Sequence, residues 1–145
     1  MEPSPTDRAL DALPHGPEFR FLDRLIRLDP GHSGAGEYVI PPNAPYLKGH
    51  FPGNPLMPAV LMIEAVAQLA GTVAQSDPAI RPLLNLRLTA VRAAKIFGPA
   101  VPGQTLEVAA QIAGRLGDLV QARGTASVNG RVLLEVDLVL AGETP

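Results

Sequence analysis

Pro58-Ala59-Val60-Leu61-Met62-Ile63-Glu64-Ala65-Val66-Ala67-Gln68-Leu69-Ala70-Gly71-Thr72-Val73-Ala74-Gln75 is the stretch that sets the architecture. A helix is expected to begin near Pro55 to Pro58, because proline is tolerated in a first turn, and to stop before Ser76-Asp77-Pro78. At about 20 residues it would span roughly 30 Å. Its polar residues, Glu64, Gln68, Thr72 and Gln75, are spaced four, four and three apart and form a single narrow stripe. Everything else on it is apolar, so it must be wrapped on most sides. Leu56 to Ala74 also resembles a membrane span, but Glu64 lies near its centre. A central charge costs about 2.5–3.5 kcal/mol on insertion scales, and a helix buried inside a soluble domain is the better reading.

The rest of the chain can supply the wrapping. Phe19 to Leu28 reads as a strand stopped by Asp29-Pro30-Gly31, and Glu37 to Ile40 as a second, short one. Leu83 to Ile96 is strand-like. Leu106, Val108, Ala110 and Ile112 then alternate with polar neighbours, as do Val120, Ala122, Ala126 and Val128, and Val132, Leu134, Val136, Leu138 and Leu140. Period two with one apolar face is the signature of antiparallel sheet. Asn129-Gly130 marks a hairpin. A two-residue loop there would set the even-numbered face of one strand against the odd-numbered face of the next. The phase therefore predicts a three-residue loop, Val128-Asn129-Gly130, with Gly130 left-handed as a bulge. The expected fold is α+β: one long central helix wrapped by an antiparallel sheet of five or six strands. No repeat or linker interrupts it, so residues 1–145 form one domain, with 1–12 a loosely ordered segment or a short helix.

The 145 residues are 46% hydrophobic and 18% charged, which is globular rather than disordered. The absence of Cys rules out a disulfide framework and a thiolate metal site. The three His residues, His15, His32 and His50, are far apart and no H-E-x-x-H occurs, which argues against zinc. A net charge of -2 gives no basic footprint for nucleic acid. Met1 to Asp11 lacks the basic stretch and apolar run of a secretory signal, so a cytoplasmic location is expected.

The chemistry concentrates in Gly49-His50-Phe51-Pro52-Gly53-Asn54-Pro55-Leu56-Met57-Pro58 and the helix after it. A base sits in a stiff Pro/Gly loop, and a lone carboxylate, Glu64, sits among Val, Leu, Met and Ile. Burying one Glu there is costly unless it is paired or protonated, and a titratable pair of this kind points to proton transfer. His50 suits a general base. Glu64 suits a general acid, because apolar surroundings favour its protonated form. The helix amino terminus near Met57 to Val60 offers free backbone N–H groups as an oxyanion site, and Gln68, one turn beyond Glu64, is placed to orient it or a water. Taken singly, His50 could be a structural hydrogen-bonder, Glu64 could form a buried salt bridge with Arg24 or Arg92, and His15 and His32 read as structural or solvent-facing.

Gly-His-Phe-Pro-Gly-x-Pro-x-Met-Pro followed by Glu-Ala-x-Ala-Gln resembles the 3-hydroxyacyl-[acyl-carrier-protein] dehydratases of bacterial fatty acid synthesis, the FabZ type, with FabA a more distant relative. Leu13-Pro14-His15, Phe21-Leu22-Asp23-Arg24 and Pro99-Ala100-Val101-Pro102-Gly103 are similar to that family in the same order, so the resemblance covers roughly residues 13 to 140. It implies a hotdog fold and a homodimer, in some members a trimer of dimers. It implies that His50 of one subunit meets Glu64 of the other in a tunnel at the interface, with Ala59 N–H as the oxyanion donor and Gly53 and Gln68 beside the substrate. It also implies an acyl carrier protein as partner, the substrate on its phosphopantetheine arm, and no metal or redox cofactor.

Three departures from the family pattern stand out. Ala59 stands where Gly is usual, Gly16-Pro17-Glu18 replaces a basic-aromatic step, and Gln104 replaces an Asp, which reads as a turn effect. The first two motivate an alternative, a non-catalytic acyl-binding hotdog subunit; a hotdog acyl thioesterase is a further alternative, against which the His50-Phe51-Pro52-Gly53 loop argues. Isomerising relatives carry Asp where Glu64 stands, so an added isomerase activity fits less well.

Overall fold

The computed structural model describes residues 4–145, so expectations for Met1 to Pro3 lie outside the described residues. The amino-terminal segment takes the short-helix option. Helix α1 (Pro5–Asp11) is closed by a capping box in which Ser4 Oγ accepts from the Asp7 N–H and the Asp7 carboxylate accepts from the Ser4 N–H, both at 3.2 Å. Leu10 then buries itself against the body of the protein.

Strands β1 (Arg24–Asp29), β2 (Ser33–Val39), β3 (Leu84–Ile96), β4 (Thr105–Leu116), β5 (Leu119–Val128) and β6 (Arg131–Glu143) form one antiparallel sheet in the order β1-β2-β4-β5-β6-β3. Helix α2 (Ala59–Gln75) packs into it, giving the hotdog arrangement. Its 17 residues span about 26 Å. Pro58 is the N-cap residue, and the next amides to find acceptors, Leu61 N–H and Met62 N–H, both reach the Pro58 carbonyl. The expected helix limits hold to within a few residues.

The register explains the alternation. Tyr38, Leu106, Val108, Ala110, Ala122, Ala126, Leu134, Val136 and Leu138 are buried and stand opposite one another across β2, β4, β5 and β6. These even-numbered positions make one continuous apolar face, and Val66, Leu69 and Val73 of α2 press onto it with no exposed surface. Complete burial of such side chains is worth roughly 1.5–3 kcal/mol each.

The hairpin between β5 and β6 differs from the expected one. Val128 pairs directly with Arg131, and Asn129 (φ 50°) and Gly130 (φ 78°) form a two-residue loop with both residues left-handed, the type I′ geometry. The phase is recovered further along instead. Ser127 pairs with Val132 but Ala126 pairs with Leu134, so Leu133 is the extra residue of a bulge. Leu133 is buried and Val132 is turned outward. The first strand is also shorter than expected: Pro17–Phe19 is a 3-10 turn, and β1 starts only at Arg24. Strand β2 instead begins earlier, at Ser33, and runs through Gly34 and Gly36.

Gly124 is where helix and sheet approach most closely. A Cβ there would lie 2.4 Å from the Ala109 carbonyl oxygen and 2.6 Å from Val66 Cγ1. Neither neighbour can give way, because one is ladder backbone and the other a fully buried side chain. Gly124→Ala is expected to destabilise the fold by about 3 kcal/mol through overpacking. Thermal unfolding should show a midpoint lowered by roughly 10 °C, and an unmoved midpoint would contradict the packing described.

Strand β3 pairs with β6 on one side only, and among the described residues no strand covers its other edge. Leu84, Val91, Ile96 and Phe97 are exposed along it. Among the described residues no helix is long and apolar enough to cross a membrane.

Candidate active site

The polar stripe of α2 faces α1, the segment after it, and the β3 edge of the sheet. Gln68 is its anchor and is 2% exposed. Its Oε1 accepts from the Phe21 N–H at 2.9 Å, and its Nε2 donates to the Phe19 carbonyl at 2.8 Å and to Glu64 Oε1 at 3.2 Å. The amide orientation is therefore forced, since the opposite flip would set N–H against N–H and oxygen against oxygen. Thr72 and Gln75 are turned to backbone: Thr72 Oγ1 donates to the Gln68 carbonyl, and Gln75 grips both the N–H and the carbonyl of Leu83.

Glu64 receives a second neighbour that its position in sequence did not announce. His15 Nε2 lies 3.2 Å from Glu64 Oε1. The loop carrying His15 is held by Arg20, whose guanidinium donates to the Leu13 and His15 carbonyls, and by an aromatic cluster beneath it. His15 stacks on Phe19, Phe19 meets Phe21 edge-on at 4.9 Å between centroids, and Phe21 packs on Tyr38 and Tyr46. The two tyrosine hydroxyls bond to each other at 2.8 Å, and burial pushes both above the ordinary phenol pKa, so they remain neutral. The surroundings of Glu64 thus differ from the apolar ones expected. Neither Arg24 nor Arg92 pairs with it: Arg24 bonds Glu37, and Arg92 is exposed on β3.

Glu64, His15 and Gln68 open onto a cavity of about 630 Å³. Its walls are Ala67 and Gly71 of α2, Ala9 of α1, Leu84, Leu86 and Leu88 at β3, and Leu140 of β6. Small residues on the helices leave the room, and leucines supply an apolar lining suited to an alkyl chain.

His50 precedes the start of α2, half-buried in the proline-rich loop. Its Nδ1 is 3.0 Å from the Leu56 carbonyl, which can only accept, so Nδ1 carries the proton and Nε2 keeps a free lone pair. The Leu56 N–H returns a bond to the His50 carbonyl at 2.7 Å, and the ring stacks on Phe51 at 4.2 Å. Gly53 (φ 74°) makes the exposed Phe51–Asn54 turn possible. Ala59 is the first residue of α2. Gln104 closes the 101–104 turn by accepting from the Val101 N–H at 2.8 Å.

The structure thus brings Glu64 and Gln68 together and gathers His50, Gly53 and Ala59 about the loop and helix start. Within one protomer no hydrogen bond or ion pair joins His50 to Glu64, among the described residues, and His50 is not in the wall of the Glu64 cavity. His15 is the functional candidate that sequence reasoning passed over. The available signal was its setting between Pro14 and Pro17, the same kind of stiffened loop that drew attention to His50.

The FabA-like domain family matches residues 13–137. Among curated proteins, the 3-hydroxyacyl-[acyl-carrier-protein] dehydratase FabZ of Geotalea uraniireducens is 37% identical over 133 residues, spanning 90% of this chain and 86% of that protein. The FabZ of Chloroflexus aggregans is 34% identical over 133 residues, spanning 92% of each. Among solved structures, a chain of the dehydratase heterocomplex ApeI:P from Xenorhabdus doucetiae superposes with a TM-score of 0.79 at 19% identity, covering 99% of this chain and 93% of that one. A Helicobacter felis protein gives 0.71 at 12% identity, covering 100% and 92%. By fold, by motif and by similarity along nearly its whole length, the chain belongs to the FabA-like domain family.

Proposed function

We propose that this chain is a 3-hydroxyacyl-[acyl-carrier-protein] dehydratase, a hydro-lyase that converts (3R)-3-hydroxyacyl thioesters to trans-2-enoyl thioesters in fatty acid or related acyl-chain biosynthesis. One observation carries the reading: Glu64 Oε1 is committed to two neighbours, while Oε2 has no partner among the described residues, in a side chain that lines the cavity between α2 and β3.

The reaction needs a base at C2, an acid at the C3 hydroxyl, and donors for the thioester oxygen. His50 Nε2 takes the C2 proton. The C2 electron pair forms the double bond as the C3–O bond breaks, and Glu64 protonates the departing oxygen to give water. Each such proton transfer is worth about 10²–10⁴-fold. The Ala59 N–H, at the positive end of α2, is the oxyanion donor, and Gly53 leaves the loop in front of it open. The substrate arrives on the phosphopantetheine of an acyl carrier protein, for which Arg87, Arg92 and Lys95, exposed on β3, offer an opposing charge. No step calls for a metal or redox cofactor.

The same reading makes the protein a homodimer, with a trimer of dimers as the larger assembly. The 13-residue β3 strand exposes an unpaired edge lined by Val91 and Ile96, a surface that proteins cover. A second copy aligned on that edge would continue the sheet. A cytoplasmic location, away from nucleic acid and membrane, belongs to the same proposal.

The direct test is purified protein with 3-hydroxybutyryl- and 3-hydroxydecanoyl-carrier protein. Enoyl product should form, and His50→Ala should lower its rate by about 1,000-fold. Free thiol without enoyl product would indicate a thioesterase instead. Acyl binding without turnover at either chain length would indicate a non-catalytic subunit.

A further inference from the structure

Glu64 is held on one oxygen only, and from outside α2 the partner doing so is His15. His15 Nε2 and Gln68 Nε2 both lie 3.2 Å from Oε1. The forced amide orientation of Gln68 makes its Nε2 a donor. The tautomer of His15 follows from its other nitrogen. Nδ1 is buried and has no hydrogen-bond partner. A buried N–H without an acceptor is rarer and costlier than a bare acceptor, so Nδ1 carries the lone pair and Nε2 the proton. Arg87, in the wall of the same cavity, donates to the Asn85 carbonyl. Arg20, on the loop of His15, is turned to the Leu13 and His15 carbonyls, and Thr72, one turn along α2 from Gln68, is spent on backbone.

We propose that His15 is a positioning residue for Glu64: together with Gln68 it makes Oε1 a double acceptor, which places the transferable proton on Oε2, the oxygen left for substrate. A protonated carboxyl has one O–H and one carbonyl-like oxygen, and two donors on Oε1 leave only Oε2 to carry the hydrogen. When Glu64 gives that proton to the leaving hydroxyl, the same two donors stabilise the carboxylate that results. His15 therefore acts in the transition state more than in substrate binding. It never takes a proton from substrate, which separates it from His50. The inference rests on Glu64 being the general acid.

The test compares His15→Ala and His15→Gln on a 3-hydroxyacyl thioester, with melting temperatures measured alongside. His15→Ala should lower kcat by about 10–100-fold, the worth of one hydrogen bond to a charged group, and leave KM within about threefold. In His15→Gln the side-chain Nε2 can take the place of the imidazole Nε2, so kcat should return to within about threefold of wild type. Should His15→Ala fail to fold, His15→Leu fills the space without a donor and replaces it. Wild-type kcat in the donor-less variant overturns the proposal, and so does a His15→Gln enzyme as slow as the donor-less one, since bulk rather than a donor would then be what matters. A wild-type enzyme inactive on every 3-hydroxyacyl thioester would remove the acid reading of Glu64 itself. An active wild type with an indifferent His15 would remove this inference alone.

Discussion

Glu64→Gln is expected to lower kcat for dehydration by about 1,000-fold while leaving KM nearly unchanged, because it removes a transferable proton and little else. The replacement is isosteric. Its amide oxygen can take the place of Oε1 and accept from Gln68 and His15, each 3.2 Å from that atom in the native protein. Its amide nitrogen would then stand where Oε2 stands and still donate a hydrogen bond to the substrate hydroxyl. Ground-state binding survives, but an amide N–H cannot be given up to a leaving hydroxide. Stability should also survive, since Gln68 keeps its bonds to Phe19 and Phe21. Steady-state kinetics beside a melting curve checks both halves. A fall in KM-limited binding with kcat intact would make Glu64 a binding group, and turnover equal to wild type would leave the proposed chemistry without its acid.

The parts of the fold that were legible were those dictated by period. The four-residue spacing of Glu64, Gln68 and Thr72 located α2 and its polar stripe, because side chains one turn apart share a face. Alternation located β4, β5 and β6, whose residues Leu106, Val108, Ala110, Ala122, Ala126, Leu134, Val136 and Leu138 form a single buried face. What failed did so where a tertiary contact overrode the local pattern. Phe19 to Arg24 looked like strand, yet the Phe19 carbonyl and Phe21 N–H are taken by the Gln68 side chain instead of a neighbouring strand. The second strand was expected only over Glu37 to Ile40, yet β2 already begins at Ser33 and runs through Gly34, where a Cβ would lie 2.9 Å from Val73 Cγ2. At Asn129-Gly130 the phase conflict was real, but it was resolved by a bulge at Leu133, which no turn signal marks. The site divides the same way. The proposed roles of His50 and Glu64 rest on residue type and setting. The contact that makes His15 a candidate spans 49 positions of sequence, and neither local composition nor period reports it.

Mixing two dead enzymes should make a live one. If each active site takes His50 from one subunit and Glu64 from the other, a dimer built from one His50→Ala chain and one Glu64→Gln chain carries both lesions in one site and neither in the other. Such a mixed dimer should run at roughly half the wild-type rate, against about a thousandth for either parent, a gain of several hundred-fold without any new contact. The geometry of a single protomer motivates the expectation. Glu64 opens on the cavity beside β3 and α1, whereas His50 is fixed by Leu56 near the start of α2, outside that cavity. Phe51, stacked on His50, is 51% exposed, and Val60, in the first turn of α2, is 68% exposed. Together with the bare edge of β3, they give a partner subunit a reason to cover the loop and to bring its own Glu64 within reach of the free Nε2. Co-expressing the two variants with different affinity tags and purifying over both isolates the mixed dimer, and recovery through the second column is itself the test of dimerisation. A doubly tagged dimer as inactive as its parents would place both groups in one protomer or take one of them out of the reaction. Failure to recover any doubly tagged species would remove the shared site altogether.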